Sequence, residues 1–156
     1  MSLTATVDFA TLRVGDALPP LVIEMTATLV VAGAIATRDF MPVHHDRDYA
    51  NQQGAPDIFM NILSDTAYAS RFLTDWAGPD AMLRKISVRL GVPVFPGHTL
   101  TYTGEITALS EESGADGREG VVDVALRATN ELGDHVSGTA TLTLPLPSTA
   151  PTEARA

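Results

Sequence analysis

The spacing of apolar residues changes once along this chain, from a helical period to a period of two, and that change restricts the folds open to it. Between about Ile58 and Trp76, Phe59, Ile62, Leu63, Thr66, Leu73 and Trp76 recur at three- and four-residue spacing, and Met60, Ala67 and Tyr68 add apolar bulk on a second side. This predicts a long helix largely enclosed by other structure. Asp57 stands where an N-cap is needed, and Ala77-Gly78-Pro79 supplies a stop.

From Arg84 onward the pattern alternates. Ile86, Val88, Leu90 and Val92 alternate with Lys85, Ser87 and Arg89, and Leu100, Tyr102, Ile106 and Ala108 with threonines and Glu105. Val122, Val124, Leu126 and Ala128 form a third run, and Val136, Ala140, Leu142, Leu144 and Leu146 a fourth. Loops are expected over Pro93–His98 and Ser110–Gly120, with a turn at Asn130–Asp134. One enclosed helix followed by a meander of antiparallel strands is an α+β plan in which the sheet wraps the helix.

Ahead of the long helix, Leu18–Met25 reads as a lead-in or short strand, and Thr26 or Thr28 can cap a helix over roughly Leu29–Thr37. That segment is apolar all round, which predicts burial. His45–Gln53 reads as a short surface helix, ended by Gly54-Ala-Pro56. Residues 1–146 are expected to form a single domain, with 147–156 a flexible tail rich in Pro, Thr and Ala.

Bulk properties exclude several function classes. A net charge of −9 argues against nucleic acid as a partner, since phosphate binding needs a basic face. Without cysteine, neither a disulfide nor a thiolate nucleophile is possible. The N-terminus lacks the pattern of a secretory signal, and the run Leu29–Ala36 is too short to span a bilayer, so a soluble cytoplasmic protein is the expectation.

Chemistry is concentrated in Asp39-Phe-Met-Pro-Val-His44. The proline bars an ordinary helix between the acid and the imidazole, so a chain leaving a helix near Thr37 would turn sharply and bring the two together. One carboxylate and one imidazole sharing a water molecule form a workable acid–base pair near neutral pH. The competing reading is a solvated Asp after a helix and a His in a turn. A metal site is not expected, because His44, His45 and Asp46 are contiguous and His98 and His135 have no ligand-like spacing.

A second constellation is Arg89-Leu-Gly-Val-Pro-Val-Phe-Pro-Gly-His-Thr-Leu100. Together, Asp39-x-x-Pro42-x-His44 and this stretch resemble the two signatures of the MaoC-like (R)-specific enoyl-CoA hydratases, across about Thr26–Leu144. The family motif carries Asn where this chain has Met41, and Asp where it has His98. Thr37-Arg-Asp-Phe, His44-His-Asp-Arg-Asp, Asp57-Ile-Phe-Met-Asn-Ile-Leu and Thr74-Asp-Trp-Ala-Gly-Pro bring it nearest to the small catalytic subunits of bacterial steroid side-chain enoyl-CoA hydratases.

The resemblance implies a hot-dog fold, enoyl-CoA as substrate, no cofactor beyond the coenzyme A that the substrate carries, and either a homodimer or a heteromer with a larger MaoC-like subunit. It implies Asp39 and His44 as the catalytic pair. Ordinary members open the central helix with a glycine whose amide faces the thioester oxygen. Here Phe59-Met60-Asn61 stands in that region, so the backbone N–H groups of Met60 and Asn61 are the oxyanion candidates.

Arg84, Lys85 and Arg89 are three of the ten basic residues and fall within six positions, a candidate site for the CoA phosphates, against the reading of an ordinary solvated face. Phe59 and Tyr68 are candidate acyl-pocket residues, while Phe72 and Trp76 read as core. Two rival functions share this framework: a hot-dog thioesterase, and a non-catalytic MaoC-like subunit supporting a catalytic partner.

Overall fold

The computed structural model describes residues 5–114 and 117–146, so the tail expected over 147–156 lies outside the described residues. The elements are β1 (Leu21–Glu24), α1 (Ala27–Ala36), α2 (Arg47–Gln52), α3 (Ile62–Ala77), β2 (Met82–Leu90), β3 (Thr99–Gly114), β4 (Gly117–Asn130) and β5 (Gly133–Pro145). All strand pairs are antiparallel, in the order β1-β3-β4-β5-β2. The expected meander holds for β3, β4 and β5 only: β2 crosses over to pair with β5, and the short strand β1 is added at the far edge beside β3.

The helix α3 lies on the inner face of this sheet. Ala69, Phe72 and Leu73 on one side of α3 are buried together with Leu100, Tyr102, Ile106, Val122, Val124 and Leu142 from the strands. The Phe72 and Tyr102 rings stack with centroids 6.0 Å apart. A helix enclosed by a curved antiparallel sheet is the hot-dog architecture, and the alternation on β4 is realised as read: Val122, Val124, Leu126 and Ala128 are all buried.

Three expectations are corrected. The long helix begins at Ile62 with Asn61 as its N-cap, not after Asp57; the Asn61 side chain accepts the Ser64 amide. Residues Ile58–Met60 stay extended because their amides find partners elsewhere: Asp57 for Ile58, Val43 for Phe59 and Val94 for Met60. The expected loop over Ser110–Gly120 is mostly strand, since β3 runs to Gly114 and β4 starts at Gly117.

The third correction concerns α1, whose uniform apolarity predicted complete burial. Only Val30 and Ala34 are buried, and Ala27, Thr28, Val31, Ala32 and Ile35 line an open groove along its outer side. One side of α1 packs on α3 so closely that a Cβ at Gly33 would come within 2.4 Å of Ser64 Oγ. The other side has no cover within the described chain.

Candidate active site

The site is built where α1 ends and α3 begins. At the end of α1, Arg38 donates its amide to Ile35 O and Asp39 its amide to Ala34 O, with Arg38 at φ 58°. This is a Schellman closure, whose left-handed position is usually glycine. An arginine held there costs about 1–2 kcal/mol, and the reversal of direction aims the next side chain, Asp39, back toward α3.

The chain then tightens. Met41 donates its amide to Asp39 Oδ1 at 3.3 Å, and Pro42–His44 forms a single 3-10 turn with the proline at its start. His44 is thereby carried into the structure, 7% exposed. Its Nδ1 lies 2.7 Å from Phe59 O, and Phe59 packs edge-on to the ring at 5.1 Å. The bidentate Arg47–Asp57 pair, at 2.7 and 3.0 Å, ties α2 to the segment that carries Phe59.

These contacts fix the protonation pattern. A carbonyl oxygen only accepts, so Nδ1 of His44 must carry a proton, and the neutral ring presents a bare lone pair at Nε2. That atom faces Asp39 Oδ2 at 3.5 Å. In that neutral form both atoms are acceptors, and the separation is too long for a direct hydrogen bond. A water molecule that donates one proton to each satisfies both. With 28% of the Asp39 side chain exposed, solvent reaches the pair.

Asn61 completes the arrangement. It is 3% exposed, and its Nδ2 donates to Asp39 Oδ2 at 2.9 Å and to Thr37 Oγ1 at 2.8 Å. The Asn61 hydrogen bond is the main cause holding the Asp39 carboxyl below its ordinary value; the Met41 amide and the nearby His44 add to it against a desolvation penalty. Sequence reasoning missed this side chain, although an Asn ahead of Ile62-Leu63 is an N-cap signal that competes with Asp57.

Of the two oxyanion candidates, Met60 is corrected: its amide is already donated to Val94 O at 3.2 Å. The Asn61 amide has no protein acceptor among the described residues and sits at the first turn of a 16-residue helix. Arg84 is also corrected as a phosphate ligand. A register shift at Leu83/Lys85 turns it toward Thr143 and Glu119, to which it is paired at 2.9 Å. Among the described residues, Lys85 and Arg89 are in no ion pair, and both are exposed on the edge strand β2.

Phe59 is half-buried between His44 and Phe95, next to the Asp39–His44 pair. Tyr68 packs against the core. Around the mouth, Phe40, Met41, Ile62 and Leu63 are exposed apolar side chains, between 48% and 67% accessible. Among the described residues no helix is long and apolar enough to cross a membrane.

The chain is 46% identical over 131 residues, 84% of its length and 95% of the other's, to the beta subunit of the 3-oxo-4,17-pregnadiene-20-carboxyl-CoA hydratase of Mycobacterium tuberculosis. Its fold superposes on a chain in the crystal structure of the ChsH1-ChsH2 complex from the same organism with a TM-score of 0.78, at 44% identity, covering 85% of this chain and 98% of that one. The (R)-hydratase from A. caviae involved in PHA biosynthesis matches with a TM-score of 0.73 and 25% identity, covering 86% and 98%. Residues 17–130, which carry both signatures and every side chain of the Asp39 site, match the model of the MaoC-like domain, and the chain belongs to that family.

Proposed function

We propose that this chain hydrates the α,β double bond of an enoyl-CoA thioester, as the catalytic subunit of a heteromer with a larger MaoC-like partner, on a bulky steroid side-chain ester. The observation that carries the chemistry is the pair of opposed acceptors, His44 Nε2 and Asp39 Oδ2, 3.5 Å apart and open to solvent.

Water held between them has one lone pair directed at the substrate. As its oxygen bonds to the β-carbon, His44 Nε2 takes one of its protons. The alkene electrons shift toward the thioester, whose oxygen gains negative charge. The Asn61 N–H, backed by the positive end of α3, is placed to receive that charge, and loss of such a donor typically costs about 3 kcal/mol. The proton on His44 crosses to Asp39 Oδ2 and on to the α-carbon. One water has then been added, and both side chains return to their starting states.

The substrate and partner are argued from the chain's margins. Lys85 and Arg89 are the cations left for the CoA phosphates once Arg84 is paired with Glu119. Phe59 and the apolar rim of Phe40, Met41, Ile62 and Leu63 suit a wide, rigid acyl group more than a thin chain. The uncovered outer side of α1 calls for another subunit. The similarity to the beta subunit of a pregnadiene-carboxyl-CoA hydratase, and to a chain of the two-component ChsH1-ChsH2 complex, supports both points.

The test is hydration of linear and steroidal enoyl-CoA esters, with and without a larger MaoC-like protein, by the wild type and by Asp39→Asn and His44→Gln. Each substitution is expected to lower turnover about 100- to 10,000-fold while the protein stays folded. Near-normal turnover in both variants would end the hydratase reading. Release of free thiol in step with loss of the enoyl absorbance would replace it with a thioesterase.

A further inference from the structure

One residue touches both halves of the proposed reaction through different atoms. The amide side chain of Asn61 has two N–H donors and one carbonyl acceptor, and all three are used. The donors go to Asp39 Oδ2 and Thr37 Oγ1, and the acceptor takes the Ser64 amide at 3.0 Å. Thr37 Oγ1 donates to Gly33 O at 2.8 Å, so it can only accept from Asn61. Turning the amide over would set its oxygen against a carboxylate and its NH2 against an N–H. The orientation is therefore unique.

Resting on the hydratase reading, we propose that Asn61 is a positioning residue: while its backbone N–H faces the thioester oxygen, its side chain aims the Asp39 carboxylate at the bridging water and keeps it charged. Because both groups hang on the cap of α3, the spacing between the carboxylate and the oxyanion donor is set by helix geometry.

The groups facing Asp39 are few. His44 approaches from the 3-10 turn, Asn61 from α3, and the Met41 amide from the turn itself. The Asn61 hydrogen bond is the largest of the influences lowering the Asp39 carboxyl, ahead of Met41 and His44. Removing it should let the carboxyl protonate at higher pH. His44, as the base, also shapes the acid limb of the rate profile, so the Asp39 carboxyl is followed directly by 13C NMR of aspartate-labelled protein.

Asn61→Asp and Asn61→Ser separate positioning from capping, since Asp and Ser cap helices about as well as Asn. Asn61→Asp keeps the acceptor for Ser64 but sets a second carboxylate against Asp39. The Asp39 midpoint should rise by about one pH unit or more, on the order expected for paired carboxyls. Asn61→Ser cannot reach Asp39 and should shift it in the same direction by less. Both keep the cap, and each loses thermal midpoint at neutral pH in step with its shift, because a carboxyl that ionises less readily in the folded state contributes less stability.

The measurement uses whichever assembly hydrates the substrate, with Asp39→Asn alongside. An Asp39 titration midpoint at the wild-type pH in both Asn61 variants, with Asp39→Asn inactive, overturns the positioning role and leaves the hydratase reading standing. Turnover by Asp39→Asn removes that reading itself.

Discussion

Two aspartate–histidine pairs meet the same end of α3, and they are built alike on one side and oppositely on the other. In both, the histidine Nδ1 sits on a backbone carbonyl: Phe59 O at 2.7 Å for His44, and Val92 O at 2.6 Å for His135. The difference lies at Nε2. His44 faces Asp39 across 3.5 Å, whereas His135 is bonded to Asp65 at 2.7 Å, with 3% and 0% of the two side chains exposed. Two acceptors clamp His135, which favours the doubly protonated ring, a form with no lone pair to offer. Burial pushes its pKa down, but the hydrogen bond and charge of Asp65 and the Val92 carbonyl together raise it.

The tighter pair is therefore the inert one. Asp65 also takes the carboxylate beyond solvent, with one oxygen lacking any partner among the described residues. The Asp65–His135 pair joins α3 to β5 and to the segment after β2, where Val94 O accepts the Met60 amide just ahead of Asn61. One pair binds the frame, and the other leaves two atoms 3.5 Å apart that a water molecule beside them can bridge.

The sharpest way to break this contrast is to make one substitution in both pairs. Asp39→Asn should cost turnover, by the factor already given, and leave the thermal midpoint near the wild-type value. Asp65→Asn leaves an imidazolium buried without its counter-charge and should cost about 3–5 kcal/mol of stability. For a domain of this size that is a fall in midpoint of roughly 10 °C. Calorimetry on the two variants checks it, and equal midpoints would dissolve the distinction between a reactive and a structural pair.

How much of this was legible in the sequence follows the same division. Asp39 and His44 are five residues apart across a proline, and local geometry brought them into view. Asp65 and His135 are seventy residues apart, and simple alternation sets His135 on the outer face with Ser137. A bulge overrides that: Ala128 pairs with Val136 and Thr129 with Asp134, so His135 is the extra residue and turns inward.

The strands themselves could be read because burial of one face imposes a period, and the plan of a sheet wrapped around a helix followed from them; the hot-dog fold was implied by the resemblance. The start of α3 could not. Ile58–Met60 has helical spacing, but its amides are claimed by Val43 and Val94 from distant segments. Nearness in sequence groups Arg84 with Lys85 and Arg89, but a register shift in β2 turns it to Thr143 and Glu119 instead.

A smaller effect should appear in the pH dependence of stability. The folded-state pKa of His135 is raised, so its contribution is complete below the ordinary histidine value of about 6.5 and is lost as pH rises through the folded value. Across that window the native state binds one more proton than the unfolded chain, and unfolding free energy should fall by at most about 1.4 kcal/mol per pH unit. His135→Gln should remove this slope. Asp39 contributes with the opposite sign, its stabilisation present above the ordinary aspartate value and lost only as pH falls through its lowered one. Denaturant titrations from pH 5 to 9 separate the two, and an unchanged slope in His135→Gln would mean that the buried ring is neutral.

The smallest predicted effect concerns how each carboxylate is delivered. Asp65 rides on a regular helix turn, but Asp39 follows Arg38, whose φ of 58° disfavours any residue with a Cβ. Arg38→Gly relieves about 1–2 kcal/mol of that cost and adds about 0.5–1 kcal/mol of unfolded-state entropy. The net gain should be roughly 0.5 kcal/mol, a rise of one or two degrees in midpoint. Turnover should hold, because the glycine keeps the Schellman hydrogen bonds that place Asp39. If turnover fell while the midpoint rose, the arginine's own side chain would be acting at the mouth of the site. If the midpoint fell instead, the left-handed position would be held by something other than backbone geometry, and the contrast between the two deliveries would lose its basis.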